Sequence, residues 1–377
     1  MPFPNVSYNA PADNHTNTMK VAFIARSTLY NVHGGDTVQI LETAKYLGTS
    51  GISVSVFLTN EKINYKEFDL LHFFNITRPA DILFHIKKSD KPFVISPVFV
   101  DYSEYDKQHR KGISGFILRQ LSAPANEYIK TISRWLLNKD KLQSKSYIWK
   151  GHKKTSQEIF EKASLLLPNS QSEYEQVKKI YATRKPYVVV PNGIDPMLFN
   201  DHCNFTKDVH LVICAGRIEG RKNQLNLIKA LNNTEFKLLL IGDAAPNQKR
   251  YFNDCKKIAA DNIIFTGRIS QSELAKYYKR AKVHILPSWF ESCGLSSLEA
   301  AAMGCNVVIT DKGFTRNYFG EDAFYCDPGN TSSILNAVKE AAQSDCRKTL
   351  QQRVLQDYTW KKAADVTLKA YESILTN

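Results

Sequence analysis

Two carboxylates and two cations stand where apolar runs hand over to helical ones. Their types suit the handling of a phosphorylated sugar. Glu291 and Glu299 are separated by seven residues, with Cys293, Gly294 and Leu295 between them. Arg217 closes the apolar run His210-Leu-Val-Ile-Cys-Ala-Gly, and Lys222 and Asn223 open the helical stretch Gln224 to Leu231. A guanidinium, an ammonium and the unpartnered N–H groups of a helix start suit a diphosphate. Gly294 lets the backbone approach a ligand closely. Glu299 lies about five residues into its helix, roughly 7–8 Å along the axis. One end of that element can hold a phosphate while a carboxylate further along accepts from hydroxyls. The arrangement fits a nucleotide diphosphate with a sugar on it. The plainer reading is an ordinary strand–helix unit with solvated charges, and each motif alone favours it; the company they keep shifts the weight.

The elements that must position these residues are legible as runs. Val283 to Leu286 is short, apolar and rich in branched residues, as a buried strand is. Leu295 to Met303 has strong helix propensity and is closed by Gly304. The same alternation runs through the chain. Strands are expected at Lys20–Arg26, Ile52–Thr59, Phe68–Asn75, Phe93–Ser96, Ala163–Ser170 and Tyr187–Val190. Past a polar stretch, Asn200 to Asp208, they recur at 210–217, 236–242, 262–268, 283–286, 306–310 and 324–329. Helical patterns lie between them. Alternating strands and helices argue for parallel sheets, and 377 residues suit two domains rather than one. Gly34 and Gly35, between the first strand and first helix, can bring backbone N–H groups to a phosphate or sugar. They form no Gly-x-Gly-x-x-Gly fingerprint, so dinucleotide binding is not expected there. His72 reads as a satisfied core histidine.

The spacing Glu291-x7-Glu299 resembles the signature of family 4 retaining nucleotide-sugar glycosyltransferases (GT-B fold, glycosyl transferases group 1). This large family includes sucrose synthases, phosphatidylinositol mannosyltransferases and many lipopolysaccharide and capsule enzymes. The resemblance runs from about Met19 to Leu375 and is stronger in the second half. Gly216-Arg217-(x4)-Lys222-Asn223 is similar to the family's phosphate clamp, and Val190-Pro-Asn192-Gly-Ile-Asp195 to its interdomain hinge. It implies an α/β protein of two Rossmann-like domains facing a cleft, the C-terminal helix crossing back to the first. The expected boundaries are an unstructured extension at 1–18, an acceptor domain at 19–195 with 358–377 packed on it, and a donor domain at 205–357. It implies catalytic roles for Arg217, Lys222 and Glu291. Gly34, Gly35, Asn192, Gly267, Arg268, Ile269, Cys293, Gly294, Leu295 and Glu299 would contact substrate, with Gly267 to Ile269 holding the base. It implies a metal-independent, retaining hexosyltransferase with a nucleotide diphospho-sugar as co-substrate, no further cofactor, and a glycan or lipid-linked acceptor in surface polysaccharide synthesis. The chain has no obvious Asp-x-Asp metal site, which agrees. It departs from the family twice. No His follows the strand ending at Ser96, where Asp101 is the remaining candidate, and Asn317 stands where relatives carry a Glu.

Composition narrows the setting. No run of eighteen apolar residues exists, so no spanning helix is expected. Met1 to Thr18 lacks the apolar centre of a secretory signal. All seven cysteines fall from Cys203 onward with no Cys-x-x-Cys pair, so a reduced cytoplasmic protein is expected. The formal charge is +13. Twelve Lys/Arg against five acidic residues between Asp101 and Thr155 account for more than half of it. Two stretches there, Ile113–Arg119 and Tyr128–Leu137, interleave apolar residues at helical spacing with basic ones. Such helices either lie on anionic lipid at the inner membrane face or pack on their own domain with a solvated basic face. The resemblance tips the reading toward the membrane surface. No nucleic-acid motif is present, and charge alone is non-specific. Two other classes stay open: a same-fold phosphorylase or sugar-nucleotide epimerase, and a non-catalytic scaffold binding membrane or nucleic acid through the 101–155 segment.

Overall fold

Largely buried strands of two to eight residues form two mostly parallel sheets, each sheathed by helices. The computed structural model describes residues 7–8, 18–109, 123–138, 142–200 and 206–376. The chain divides into two compact units. Met1–Phe99, Asp106–Asn192 and Trp360–Asn377 make the first; Val100–Tyr105 and Gly193–Thr359 make the second.

In the first unit the strands are β1 (Ser7–Tyr8), β2 (Lys20–Ala25), β3 (Ser53–Leu58), β4 (Leu70–Phe74), β5 (Phe93–Ser96) and β6 (Leu165–Leu166). They lie in the order β1-β3-β2-β4-β5-β6. Every pairing is parallel except that of β1 with β3. Val21 to Ala25 and all of β4 are buried, as strands covered on both faces must be. The order reverses between β2 and β4, so the loops after those strands part at the C-terminal edge, where ligands of such sheets sit. Two expectations need correcting. The N-terminal extension is not wholly without structure: Ser7 and Tyr8 pair antiparallel with Ser55 and Val54. Gly48 lies in the helix Gly35–Thr49 because Tyr8 rests on it; a Cβ there would come within 2.9 Å of the Tyr8 Cβ. Tyr187–Val190 is no full strand and makes only one isolated parallel bridge, Leu166 to Tyr187. Pro186 and Pro191 bracket it and remove two ladder donors. Of the two basic amphipathic stretches, Ile113–Arg119 lies outside the described residues. The other falls in the helix Ala123–Asn138. Among the described residues no helix is long and apolar enough to cross a membrane.

His72 is the satisfied core residue expected. Its Nδ1 pairs with the Tyr371 hydroxyl at 2.6 Å and its Nε2 with Ser96 Oγ at 2.9 Å. Burial holds its pKa down at about 3. Because Tyr371 lies on the last helix, Trp360–Leu375, this bond ties the C-terminus to the first sheet. A second buried polar group, Glu173, accepts from the Phe99 N–H through Oε1 and from the Asn169 N–H through Oε2, both at 2.6 Å. Burial pushes its pKa up, to about 7, against those two donors. An amide cannot accept at both ends. Glu173→Gln should therefore destabilise the protein by about 1–3 kcal/mol, read as a lowered denaturant midpoint at pH 7.5.

In the second unit the strands are β7 (Asp208–Ala215), β8 (Lys237–Ile241), β9 (Ile263–Gly267), β10 (Ala281–Leu286), β11 (Asn306–Thr310) and β12 (Phe324–Cys326). Their order is β12-β11-β10-β7-β8-β9, all parallel. This is the dinucleotide-fold order, whose reversal lies between β7 and β10. Both of the loops singled out from the sequence, after β7 and after β10, open at that point. Glycines end three neighbouring strands: Gly216 (φ 152°), Gly242 (φ 139°) and Gly267 (φ 72°). At Gly242 the requirement is closeness as well as φ, since a Cβ would stand 2.2 Å from the Gly216 carbonyl oxygen.

Candidate functional site

After β7 the chain makes a single 3-10 turn, Gly220–Lys222, and Asn223 turns it into the next helix, Gln224–Leu231, with φ 63°. The Asn223 amide donates to the carbonyls of Pro287 (3.1 Å) and Pro328 (2.7 Å). One side chain thus pins three loops together. The Trp289 N–H donates to the Arg221 carbonyl at 2.9 Å and fastens the same turn to the loop after β10.

That clamp brings Lys222 and Glu291, 69 residues apart, into direct contact: Lys222 Nζ donates to Glu291 Oε1. Burial works to lower the Lys222 pKa, but the Glu291 carboxylate outweighs it and raises the value. The lysine stays charged across the working pH range. Glu291 is only 7% exposed, so removing this partner would leave a buried carboxylate uncompensated. Its backbone is held equally firmly. Its N–H donates to Lys312 O (3.0 Å), and its carbonyl accepts from the Phe314 N–H (2.9 Å). Gly313 between them has φ 109°, and a Cβ there would stand 2.0 Å from the Glu291 carbonyl oxygen. Gly313→Ala should therefore displace Glu291. We expect a stability loss of about 1–3 kcal/mol, seen in thermal unfolding, with a fall in turnover larger than the stability loss accounts for.

Arg217 pairs with Glu219 at 3.1 Å, and its carbonyl accepts from the Gln224 amide at 2.9 Å. The helix after β10 spans Leu295–Ala302 and starts on Gly294, whose φ of 70° only glycine adopts freely. A Cβ there would press on Ile309 Cδ1 at 3.0 Å. Cys293 is buried and Leu295 partly so. Glu299, in the second turn of this helix, is half-buried. Burial among its neighbours pushes its pKa up, to about 8, with the nearby Tyr278 hydroxyl acting the other way. At the end of β9, Gly267 accepts from the Gly242 N–H at 2.9 Å. Arg268 is exposed and Ile269 packs against the apolar core. The second unit thus brings Lys222 and Glu291 together and sets Arg217 on the same turn. Gly267 to Ile269 sit at the end of β9, three strands from β10 across β7 and β8.

The remaining expected residues belong to the first unit. Gly34 precedes the helix Gly35–Thr49 with an ordinary extended φ of −146°, so no left-handed turn is needed there. What Gly34 supplies is room: a Cβ would fall 2.9 Å from Asp36 Oδ1. Asp36 is engaged by Arg26 through two bonds, 2.6 and 3.0 Å. Asn75, at φ 70° after β4, reaches the same carboxylate at 3.5 Å. The first unit's switch point is thus a closed charge cluster. Asn192 is buried and ends the first unit. Just beyond it the Ile194 N–H donates to Tyr358 O at 2.9 Å, and Ile194 bridges Thr359. The outgoing and returning chain therefore run side by side. Asp101 accepts from the Ser103 N–H at 2.9 Å, as the start of a helix requires.

Three residues around the Lys222 turn were not singled out from the sequence. The Arg221 guanidinium lies 4.1 Å above the Tyr102 ring. Tyr102 also meets Phe290 edge-on at 6.1 Å, and Tyr105 meets Trp289 at 6.4 Å. Gly220 is a glycine because the Tyr105 hydroxyl occupies the place a Cβ would take. Arg221 was in view as one of four unspecified positions inside Gly-Arg-(x4)-Lys-Asn. The tyrosines lie more than a hundred residues away in sequence, and no local pattern announces that contact.

Residues 201–370 match the family model described as glycosyl transferases group 1. An uncharacterized glycosyltransferase of Methanocaldococcus jannaschii is 26% identical over 233 residues, 54% of this chain and 58% of that protein. The chain spans less than two thirds of the length of the curated relatives it matches. Among solved structures, sucrose-phosphate synthase from Thermosynechococcus elongatus superposes with a TM-score of 0.72 at 16% identity, covering 95% of this chain and 99% of that one. Anabaena Alr3699/HepE in complex with UDP-glucose gives 0.69 at 16% identity, covering 94% and 100%. The two sheet units are those of the GT-B fold, and residues 201–370 match the glycosyl transferases group 1 family.

Proposed function

We propose that the protein is a glycosyltransferase that moves a hexosyl group from a nucleotide diphospho-sugar to a glycan or lipid-linked acceptor. The reaction retains the anomeric configuration and needs no metal, and the product feeds surface polysaccharide synthesis. The observation that carries this reading is the Lys222–Glu291 pair, placed with Arg217 at the switch point of the second sheet, close to a glycine-started helix. A similarly folded protein was solved with UDP-glucose, which supports a nucleotide-sugar donor.

In this reading Arg217, Lys222 and the N–H groups at Cys293 to Leu295 meet the diphosphate. They gain most as its charge develops on leaving, and each good donor lowers the barrier by roughly 3–4 kcal/mol. Glu291 exchanges part of its bond to Lys222 for a sugar hydroxyl. Glu299 accepts from the ribose. Gly267, Arg268 and Ile269 border the base. The acceptor attacks from the face the diphosphate leaves, and we assign no covalent intermediate. The six cysteines among the described residues are all free, which supports a reducing, cytoplasmic setting. Trp149 is 85% exposed, beside the basic Lys150, Lys153 and Lys154. That supports peripheral contact with an anionic membrane. The test is a panel of nucleotide sugars with lipid-linked and free glycans, followed by NMR of the products. Release of nucleoside diphosphate with an axial-to-axial or equatorial-to-equatorial outcome fits the proposal. Sugar phosphate formed from inorganic phosphate, or an epimerised nucleotide sugar, would replace it with a phosphorylase or epimerase.

A further inference from the structure

The donor reading leaves a charge to account for. A nucleoside diphosphate brings two to three negative charges. The two cations expected to receive them are each already paired in the ligand-free protein, Arg217 with Glu219 and Lys222 with Glu291. Among the described residues one cation on this turn has no carboxylate partner, Arg221. Its guanidinium rests instead on the Tyr102 ring, 4.1 Å from the centroid. A guanidinium stacked on an aromatic face keeps its edge N–H donors available. Arg221 is half-buried, with its carbonyl fixed by the Trp289 N–H, so little conformational freedom is left to lose on binding.

The platform under Arg221 is itself held in place. Tyr102 lies on Val100–Tyr105, the short segment that packs with the second unit. Just before it Val98 has φ 47°, a conformation that costs a β-branched residue of order 1–3 kcal/mol and persists only where the surroundings enforce it. The next residue, Phe99, donates its N–H to buried Glu173 at 2.6 Å. Tyr105 is seated against Gly220, the first residue of the Arg221 turn. Glu104 adds an ion pair to Lys312 at 3.2 Å. Two contacts within the second unit therefore hold the segment that carries the ring.

We propose that Arg221 is a third diphosphate-binding cation of the donor site and that Tyr102 is its positioning residue. This rests on the donor reading given above and adds to it the residue that supplies the unneutralised charge. The β-phosphate is the group recognised, so a nucleoside monophosphate is indifferent to Arg221.

The experiment is calorimetric titration of wild type, Arg221→Gln, Tyr102→Ala, Tyr102→Phe and Lys222→Ala. The probes are uridine, guanosine and adenosine diphosphate and the matching monophosphates, with thermal unfolding as the control for folding. Arg221→Gln and Tyr102→Ala should each weaken the diphosphate about tenfold or more, the loss of one charge-assisted contact. Both should leave the monophosphate unchanged. Tyr102→Phe, which keeps the ring, should bind like wild type; a loss confined to the diphosphate, with the monophosphate unchanged, is what loss of packing alone does not predict. Wild-type diphosphate affinity in Arg221→Gln, with affinity lost in Lys222→Ala, overturns this inference and leaves the donor reading standing. No nucleotide bound by folded wild type overturns both.

Discussion

Lys222→Ala should lower kcat/KM for sugar transfer by about 10²–10³-fold, or ~3–4 kcal/mol of transition-state stabilisation. Two losses combine. In the proposed mechanism the cation facing the leaving diphosphate goes, and Glu291, 7% exposed, loses its ion-pair partner. Because the two residues act as one unit, Glu291→Gln in the Lys222→Ala background should add much less than it costs alone. Lys222→Arg keeps the charge but brings a planar fork to a site shaped for an ammonium, so it should restore only part of the rate. Steady-state kinetics on the four members of that cycle check the prediction; strictly additive losses contradict it.

Donor affinity should rise with pH in wild type and stay flat in Glu299→Gln. In the ligand-free protein burial raises the Glu299 pKa to about 8, so the group is largely protonated at pH 7. Ribose hydroxyls donate best to the ionised form. Binding below pH 8 must therefore expel a proton, and affinity should climb by up to about tenfold per pH unit between pH 6.5 and 8 before levelling. Glu299→Gln cannot ionise and should show no slope; Glu299→Ala should bind most weakly. The same shift has the opposite sign for stability. A carboxyl raised from 4.5 to about 8 on folding contributes stability that is full below 4.5 and is lost as pH rises toward 8. Glu299→Gln should accordingly gain on wild type in unfolding experiments at pH 8.5 compared with pH 5.

Much of this was legible because parallel sheets write themselves into sequence as short apolar runs. Leu70–Phe74 and Ala281–Leu286 are buried at every position and read as strands without help. Gly294 and Glu299 were legible because a positive-φ glycine and a helix-borne carboxylate are local features. Tyr187–Val190 misled because its valines carry strand propensity while its flanking prolines decide the pairing. The pairing of both clamp cations with Glu219 and Glu291 could not be read, since charge counts say nothing of who faces whom. Least legible was Val100–Tyr105. Its place against Arg221 and Phe290 is a tertiary contact, with Tyr105 seated at Gly220, a residue whose sequence context suggests only a turn.

The most direct test of the central claim is calorimetric binding of UDP, GDP and ADP to the wild-type protein and to Glu299→Ala. The account predicts that one of the three binds clearly more tightly than the others and that Glu299→Ala weakens it. A folded protein that binds none of them, or one whose affinity ignores Glu299, contradicts the assignment of the second unit as a nucleotide-sugar donor site.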